Sequence, residues 1–413
     1  MLIEKLGLDR KTFTGKTAVV TGAGQGIGKE LARALAWLGA RVIIAEINEK
    51  TGVETEKQIR SEDGTVLFVR ADVGDRKSIY NLKKIVAKKF GKVDILVNNA
   101  IIYRPGSILE LPIETWDEVY RVNIRGAVMG IKAFLPDMLQ QGHGVIVTVT
   151  SSEGMPYMAS YFASKAALRS IGLSLAQELK NTGVYAFVFA PGMVDTPGGN
   201  AAFEALAPKY GMTYQEFVAM SPNPGFDGLM PPEACAAGLA YLIAYANEYH
   251  GQVVDPFQPL IRTGILKFSC SGKRSEIDSQ ELKLILELTT KVKKVLGDVE
   301  RETNELDLFR RMWVNRAFQQ RTGMSIKNWI ENIAKLIEQL ENLKKETGKV
   351  NEFLNTVSWL KPYLERLAEY FKKNKQDARG YFKDSGKLEY ALKILNERQD
   401  IVQKLILELE KIS

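Results

Sequence analysis

The 413-residue sequence predicts a doubly wound α/β domain with a parallel sheet, followed by an all-α helical domain. Short β-branched runs alternate with amphipathic helical stretches over roughly the first 260 residues. Glycine and proline are concentrated there, since only seven of the 34 glycines and one of the 14 prolines follow residue 261. The rest of the chain carries leucine, isoleucine and aromatic residues at helical spacing, interleaved with lysine and glutamate.

The apolar runs of the first part are continuous, which is typical of strands in a parallel sheet that is buried on both faces. Helical stretches separate successive runs, as the crossovers between parallel strands require. The predicted strands occupy residues 17–21, 41–45, 66–70, 94–98, 145–150, 185–190 and 251–255.

In the last third we predict helices near residues 276–300, 306–320, 326–346, 350–373 and 387–411. No apolar stretch sustains three or four heptads, so a helical bundle and coiled-coil-like helices both stay open. We expect a first domain over 1–262, a linker over 263–275 and a helical domain over 276–413.

Composition excludes several classes of protein. With 45% hydrophobic and 25% charged residues, the chain resembles ordinary folded proteins rather than disordered or fibrous ones. The net charge of +7 is spread along the chain without a basic stripe, so we expect no nucleic-acid partner. No run approaches the roughly 18 apolar residues of a membrane span, and the N-terminus lacks the apolar core of a signal peptide. We therefore expect a cytoplasmic protein without a membrane span.

Cysteine and histidine are too few and too scattered to predict a disulfide or a metal site. Cys235 and Cys270 have no partner at metal-type spacing, and His143 and His250 each precede a glycine at a predicted turn. The sequence therefore predicts chemistry without a protein-bound metal.

A glycine-rich turn, TGAGQGIG, directly follows the first strand and precedes the helical pattern KELARALAWLGA. Glycines let a pyrophosphate approach the backbone, and a helix N-terminus offers free N–H groups with partial positive charge. The order of strand, turn and helix therefore predicts a dinucleotide site. Its predicted contacts are Thr21, Gly22, Gln25, Gly26, Ile27 and Gly28.

The spacing TGxxxGxG resembles the short-chain dehydrogenase/reductase family, and later motifs follow in that family's order. They are Asp72-Val73, Asn98-Asn99-Ala100, Asn123, Ser151, Tyr161, Lys165 and Pro191-Gly192 with Thr196. The resemblance covers about residues 12–258 and leaves the C-terminal helical domain unrecognised. It implies a Rossmann-type fold, a nicotinamide cofactor, a small carbonyl or alcohol substrate and a homo-dimer or tetramer.

Tyr161 and Lys165 stand four residues apart in a helical stretch, so their side chains share one face. A nearby ammonium favours the phenolate, so we expect Lys165 to lower the pKa of Tyr161. By resemblance, Ser151 orients the substrate carbonyl, with Ser152 as the alternative, and Asn123 holds a water in a proton relay toward Lys165.

Tyr80 and Lys84 repeat the same four-residue spacing without a glycine turn or a preceding serine, so we interpret them as a solvated helix face. The family resemblance alone assigns the remaining cofactor contacts. They are Asp72, Val73, Asn99, Ala100, Tyr161, Lys165, Pro191, Gly192, Val194 and Thr196.

Glu46 ends the second strand, where a carboxylate can accept hydrogen bonds from the adenosine ribose hydroxyls. A 2′-phosphate would meet a like charge there, so we expect NAD(H) to be preferred and NADP(H) to remain possible. The alternative is that Glu46 points to solvent.

Two departures from the family pattern concern the active site. Ile101 replaces the glycine that usually follows Asn-Asn-Ala, and only ten residues separate Ser151 from Tyr161. Residues 196–231 are rich in glycine and proline yet carry large apolar side chains, which is typical of a substrate lid. Those side chains are Phe203, Leu206, Tyr210, Met212, Phe217, Met220 and Met230.

The favoured function is oxidation or reduction between a secondary alcohol and a carbonyl on a medium-sized, largely apolar substrate. The alternative is a catalytically silent dinucleotide-binding scaffold whose helical domain binds a protein partner. A third possibility, a DNA-binding regulator, rests on residues 318–330, which resemble half of an AraC-type helix-turn-helix; Trp313, Phe318 and Trp329 have core spacing instead.

Overall fold

The computed structural model describes residues 2–151, 155–221, 223, 225–226, 228–266, 279–306, 311, 314–315, 318–319, 321–343, 350–381 and 385–412. The chain divides into two compact units, Met1–Leu266 and Lys267–Ser413. Ser152, Trp313, Cys270 and linker residues 267–275 lie outside the described residues. The domain bounds 1–262 and 276–413 stay predictions.

The first unit contains seven parallel strands in the order β3-β2-β1-β4-β5-β6-β7. These are β1 Thr17–Thr21, β2 Arg41–Glu46, β3 Val66–Arg70, β4 Ile95–Asn98, β5 Gly144–Val149, β6 Val184–Phe189 and β7 Val253–Val254. The chain builds outward from β1 to β3 and then returns to the other side of β1 for β4. This topology confirms the predicted Rossmann-type fold class, and ligands of such sheets bind where the strand order reverses.

Helices connect and cover the strands. They are α1 Gly26–Trp37, α2 Glu49–Ser61, α3 Arg76–Phe90, α4 Ile113–Val119, α5 Gly126–Gln141, α6 Ala159–Glu178, α7 Pro197–Leu206, α8 Tyr214–Ala219, α9 Pro232–Ala244, α10 Ala246–Tyr249 and α11 Phe257–Arg262. Residues Tyr120–Arg125 form a π-helical turn that joins α4 to α5.

The strands are buried on both faces, which explains why their sequences run apolar without alternation. Val19, Ile43, Leu96, Ile146 and Phe187 are all fully buried. The last strand is shorter than the predicted run 251–255, because Asp255-Pro256 follows Val254 and proline offers no N–H to a strand ladder.

The second unit is helical, as predicted. Its described long helices are Ser279–Asn304, Ile326–Leu343, Val350–Tyr381 and Ser385–Ile412. Phe318 and Trp329 are fully buried, so these aromatic side chains of the AraC-like string belong to the core of the unit. In the parts of the chain that are described, no helix has the length and apolar character needed to cross a membrane.

We predict that residues 1–262 fold without the helical unit, because the sheet is complete by β7. Leu266 is 7% exposed and packs against Gly225, so a chain ending at 266 should be more stable than one ending at 262. The free energy of unfolding of the shorter chain should be lower by about 1.5–3 kcal/mol, the contribution of one buried leucine. Urea unfolding of both truncations measures it, and aggregation of both would show that the helical unit is required for folding.

Candidate active site

The glycine turn lies at the carboxyl end of β1, beside the point where the strand order reverses. Gly22 has φ +64°, and a Cβ there would come within 2.8 Å of the Ala100 Cα. A Cβ on Gly28 would lie 2.3 Å from the Gly22 carbonyl oxygen. Side chains at these two positions would therefore push β4 and α1 away from the turn.

The first turn of α1 suits a phosphate group. Gln25 precedes the helix without capping it through its side chain, and the first turn, which includes Ile27, carries no acidic residue. Its backbone N–H groups therefore meet no competing carboxylate there, and the helix dipole favours an anion. This turn fits the predicted dinucleotide.

Thr21 and Asn99 hold the ends of β1 and β4 together. The Thr21 hydroxyl donates to the Val97 carbonyl at 3.2 Å and accepts from the Asn99 and Ala100 backbone N–H groups at 3.0 and 3.1 Å. The Asn99 side-chain amide donates to the carbonyls of Thr21 and Gly22 at 2.9 and 3.1 Å. These predicted cofactor residues therefore also fix the shape of the cleft.

Glu46 faces the glycine turn rather than solvent. It is 9% exposed, and its carboxylate accepts hydrogen bonds from the backbone N–H groups of Gly24 and Asn48, each at 3.0 Å. Each carboxylate oxygen retains capacity for a further donor. The alternative of a solvent-facing side chain is therefore wrong, and a negative charge lies against the turn.

Asp72 and Val73 lie beside the π-helical turn. The Asp72 carboxylate accepts from the Gly74 N–H at 2.8 Å and pairs with Arg121 at 3.3 Å. Val73 is buried, and its Cγ2 would lie 3.0 Å from a Cβ added to Gly126. The loop after β3 is therefore held against the start of α5.

Three of the four predicted catalytic residues meet at the carboxyl end of β5 and the first turns of α6. The Ser151 hydroxyl hydrogen-bonds the Tyr161 phenol. The Lys165 Nζ lies 5.5 Å from the centre of the Tyr161 ring and donates to the Val149 carbonyl at 2.8 Å. Helical spacing brings Tyr161 and Lys165 to one face, as the sequence predicts.

Asn123 contacts this group through Ser164, and its proposed part in a water-mediated relay toward Lys165 stays a prediction. Its side-chain amide donates to the Ile102 carbonyl and to the Ser164 hydroxyl, each at 2.9 Å, and its carbonyl accepts from the Ile102 N–H at 2.8 Å. Ser164 is fully buried and donates to the Tyr161 carbonyl at 2.6 Å. Sequence reasoning missed Ser164, although it directly precedes Lys165.

Burial dominates the electrostatics of the pair. It lowers the pKa of Lys165 to about 7 and raises the pKa of Tyr161 to about 12, although the Ser151 hydrogen bond opposes that rise. The expected lowering of the Tyr161 pKa by Lys165 is absent. A buried lysine with this pKa is only partly charged at neutral pH, so it gives the phenolate little support.

The segment after β6 returns to the glycine turn. Gly192 has φ +79°, and Pro191 and Val194 are buried. Thr196 caps α7 by accepting from the Gly199 N–H at 3.0 Å, and its Cγ2 would lie 3.0 Å from a Cβ on Gly26. The structure therefore brings Thr196 beside the turn that precedes α1.

Most of the predicted lid packs around the predicted catalytic tyrosine. Tyr161 belongs to an apolar cluster that includes five of the seven predicted lid side chains. These are Phe203, Leu206, Tyr210, Met212 and Phe217. Met220 is exposed, whereas Met230 is buried beside Val194, so neither belongs to the cluster.

The two departures from the family pattern are accommodated locally. Ile101 is 37% exposed, and its φ is not positive. In the short connection to α6, Tyr157 adopts φ +64°, a conformation that costs energy for a bulky residue.

The chain is similar to known proteins in both sequence and fold. A family model described as short chain dehydrogenase matches residues 16–207. An uncharacterized oxidoreductase of Thermotoga maritima is 39% identical over 185 residues, which are 44% of this chain and 72% of the relative. The 2,5-dichloro-2,5-cyclohexadiene-1,4-diol dehydrogenase LinX of Sphingobium indicum is 36% identical over 45% of this chain and 75% of LinX.

A solved structure from Beutenbergia cavernae is provisionally described as an NAD(P)-dependent gluconate 5-dehydrogenase with NADP bound at low occupancy. It is 32% identical, has a TM-score of 0.54, and covers 60% of this chain and 97% of its own. The family model ends before the helical unit begins.

We predict that Lys165→Met stabilises the fold at pH 7 while it weakens cofactor binding. Replacing a buried ammonium by an apolar side chain of similar length should gain about 1–4 kcal/mol. The folded pKa is about 7 and the unfolded value is the ordinary 10.5, so the gain should shrink as pH rises from 7 toward 10.5. Denaturant titrations at pH 7 and 9.5 measure the gain, and a variant less stable than wild type at pH 7 would contradict it.

Proposed function

Because this chain is a member of the short-chain dehydrogenase/reductase family, we propose that it is an NAD(H)-dependent oxidoreductase that interconverts a secondary alcohol and a carbonyl. The observation that carries the proposal is the contact of Ser151, Tyr161 and Lys165 at the carboxyl edge of the sheet. A silent scaffold has no physical need for that buried, costly arrangement.

The bound nicotinamide would supply or accept the hydride. Tyr161 exchanges the proton on the substrate oxygen, and its pKa of about 12 keeps the phenol protonated, as carbonyl reduction requires. Ser151 hydrogen-bonds Tyr161 and would hold the same oxygen. Lys165 lies under the tyrosine ring and would contact the nicotinamide ribose.

The cofactor would lie along the reversal of strand order. The glycine turn and the start of α1 would hold its pyrophosphate, and Asn99 and Ala100 would line the end of β4. Pro191, Gly192 and Thr196 would hold the carboxamide and phosphate side, which the approach of Thr196 to the glycine turn supports. The remaining proposed contacts are Asp72, Val73 and Val194.

The apolar cluster supports a medium-sized, largely apolar substrate. Phenylalanine and methionine side chains of the cluster lie around Tyr161 and offer no hydrogen-bond donors, so a polar substrate would lose hydration against them. LinX is named for a cyclic diol and the Beutenbergia protein for a sugar acid, and this cluster favours the less polar kind. We also propose a homo-dimer or tetramer.

We predict that Tyr161→Phe abolishes turnover while cofactor affinity stays nearly unchanged, because the ring still packs but no proton can be exchanged. Tyr80→Phe is the matched control, since Tyr80 is 59% exposed on α3 and also precedes a lysine by four residues. A screen of secondary alcohols and ketones with NAD(H) and NADP(H) measures the rates. Activity retained in Tyr161→Phe would refute the mechanism, and cofactor binding without turnover by the wild type would favour the scaffold.

We predict that Glu46→Gln raises the affinity for NADP(H) relative to NAD(H) by about ten- to a hundredfold, the effect of removing one like charge worth roughly 1–3 kcal/mol. The N–H groups of Gly24 and Asn48 bond different oxygens of Glu46, and glutamine keeps an acceptor for one of them, so the turn is disturbed less than by alanine. Glu49→Gln removes the same charge from an exposed position nearby. Titration with both cofactors gives the ratio, and an unchanged ratio in Glu46→Gln would show that Glu46 does not select the cofactor.

A further inference from the structure

Tyr103 lies in the loop after β4 and contacts both the predicted lid and Tyr161. Its ring packs edge-to-face against the Tyr161 ring, with the centroids 6.5 Å apart. Its hydroxyl donates to the carbonyl of Gly198, in the first turn of α7, across 95 residues of sequence. One side chain therefore joins β4, the lid and the proton-exchanging residue.

The lid element that Tyr103 contacts is otherwise fastened at its base. Thr196 caps α7 and packs against Gly26, and Asn223 bonds the Met193 backbone. Toward the far end of the lid, Tyr210 reaches the Pro156 carbonyl only at 3.4 Å, a long and weak contact. The Tyr103 hydroxyl thus supplies a direct hydrogen bond between the loop after β4 and the first turn of α7.

The surroundings keep Tyr103 suited to this contact. It is partly buried in the apolar cluster with Phe203 and Tyr161, and burial raises the pKa of its hydroxyl, which stays a donor at neutral pH. Because the hydroxyl is shielded in this way, water competes less for its partner carbonyl, and the hydrogen bond is stronger than an exposed one.

We propose that Tyr103 is a positioning residue that latches α7 over the substrate space and sets the Tyr161 ring against it. The hydroxyl controls the closure of the lid, whereas the ring supports the catalytic tyrosine. The catalytic half of this inference rests on the proposed function; the latch itself does not.

Hydrogen exchange of the full chain tests the latch independently of activity. In Tyr103→Phe the backbone amides of 201–206 should exchange about 2- to 12-fold faster, the effect of losing one hydrogen bond, whereas those of β4 and β5 should be unchanged. Tyr80→Phe, the same chemical change on an exposed helix face, should leave all of them unchanged. Equal exchange of 201–206 in Tyr103→Phe and wild type would overturn the latch.

Kinetics test the catalytic half. Tyr103→Phe should raise KM several-fold with little change in kcat, since the ring still supports Tyr161. Tyr103→Leu removes the ring as well and should also lower kcat, and equal kcat in the two variants would overturn the supporting role of the ring. Faster exchange of 201–206 in Tyr103→Phe, combined with a wild type that turns over no substrate, would leave the latch standing and refute the proposed function instead.

Discussion

The close approach of β1 and β4 is the constraint on which the rest of the site depends. The hydrogen bonds of Thr21 and Asn99 bind the two strand ends, and Gly22 leaves the space that Ala100 fills. This contact places the glycine turn beside the loop that leads to Ile102 and Tyr103. The loop in turn holds Asn123 through hydrogen bonds with Ile102 and contacts the lid through Tyr103. The positions of the π-helical turn and of the lid therefore both depend on the contact between β1 and β4.

Burial is what gives the predicted catalytic pair its properties, and it acts on the two groups in opposite ways. It disfavours the charged form of each, so Lys165 loses its proton more readily and Tyr161 holds its proton more firmly. The lysine cannot therefore be treated as a permanent cation beside the phenol. The proposed role of Tyr161 as a proton donor therefore suits these surroundings, whereas proton abstraction in the proposed reverse reaction needs a change in the surroundings of the phenol.

The sequence predicted those features that depend on local pattern. Continuous apolar runs identified the strands, and the four-residue spacing paired Tyr161 with Lys165. Both patterns can be read from a short stretch of sequence without knowing which distant residues pack against it. Ser164 and Tyr103 were missed because their importance arises from contacts across 41 and 95 residues of sequence. The hydrogen bonds that Glu46 accepts from the Gly24 and Asn48 backbone were missed for another reason, since no motif records which amide a carboxylate accepts from.

The π-helical turn between α4 and α5 has a consequence for the spacing of the chain. A π turn holds more residues than an α turn, so Tyr120–Arg125 acts as an insertion within an otherwise continuous helical run. Removing one residue there would let the run close as a regular α-helix, so α5 would keep its apolar face against the sheet. The wider turn that brings Asn123 to the Ile102 backbone would be lost, because successive residues of a regular helix are spaced by about 100° around its axis. Chimeras made in this helix must therefore conserve the number of residues in the turn as well as their type.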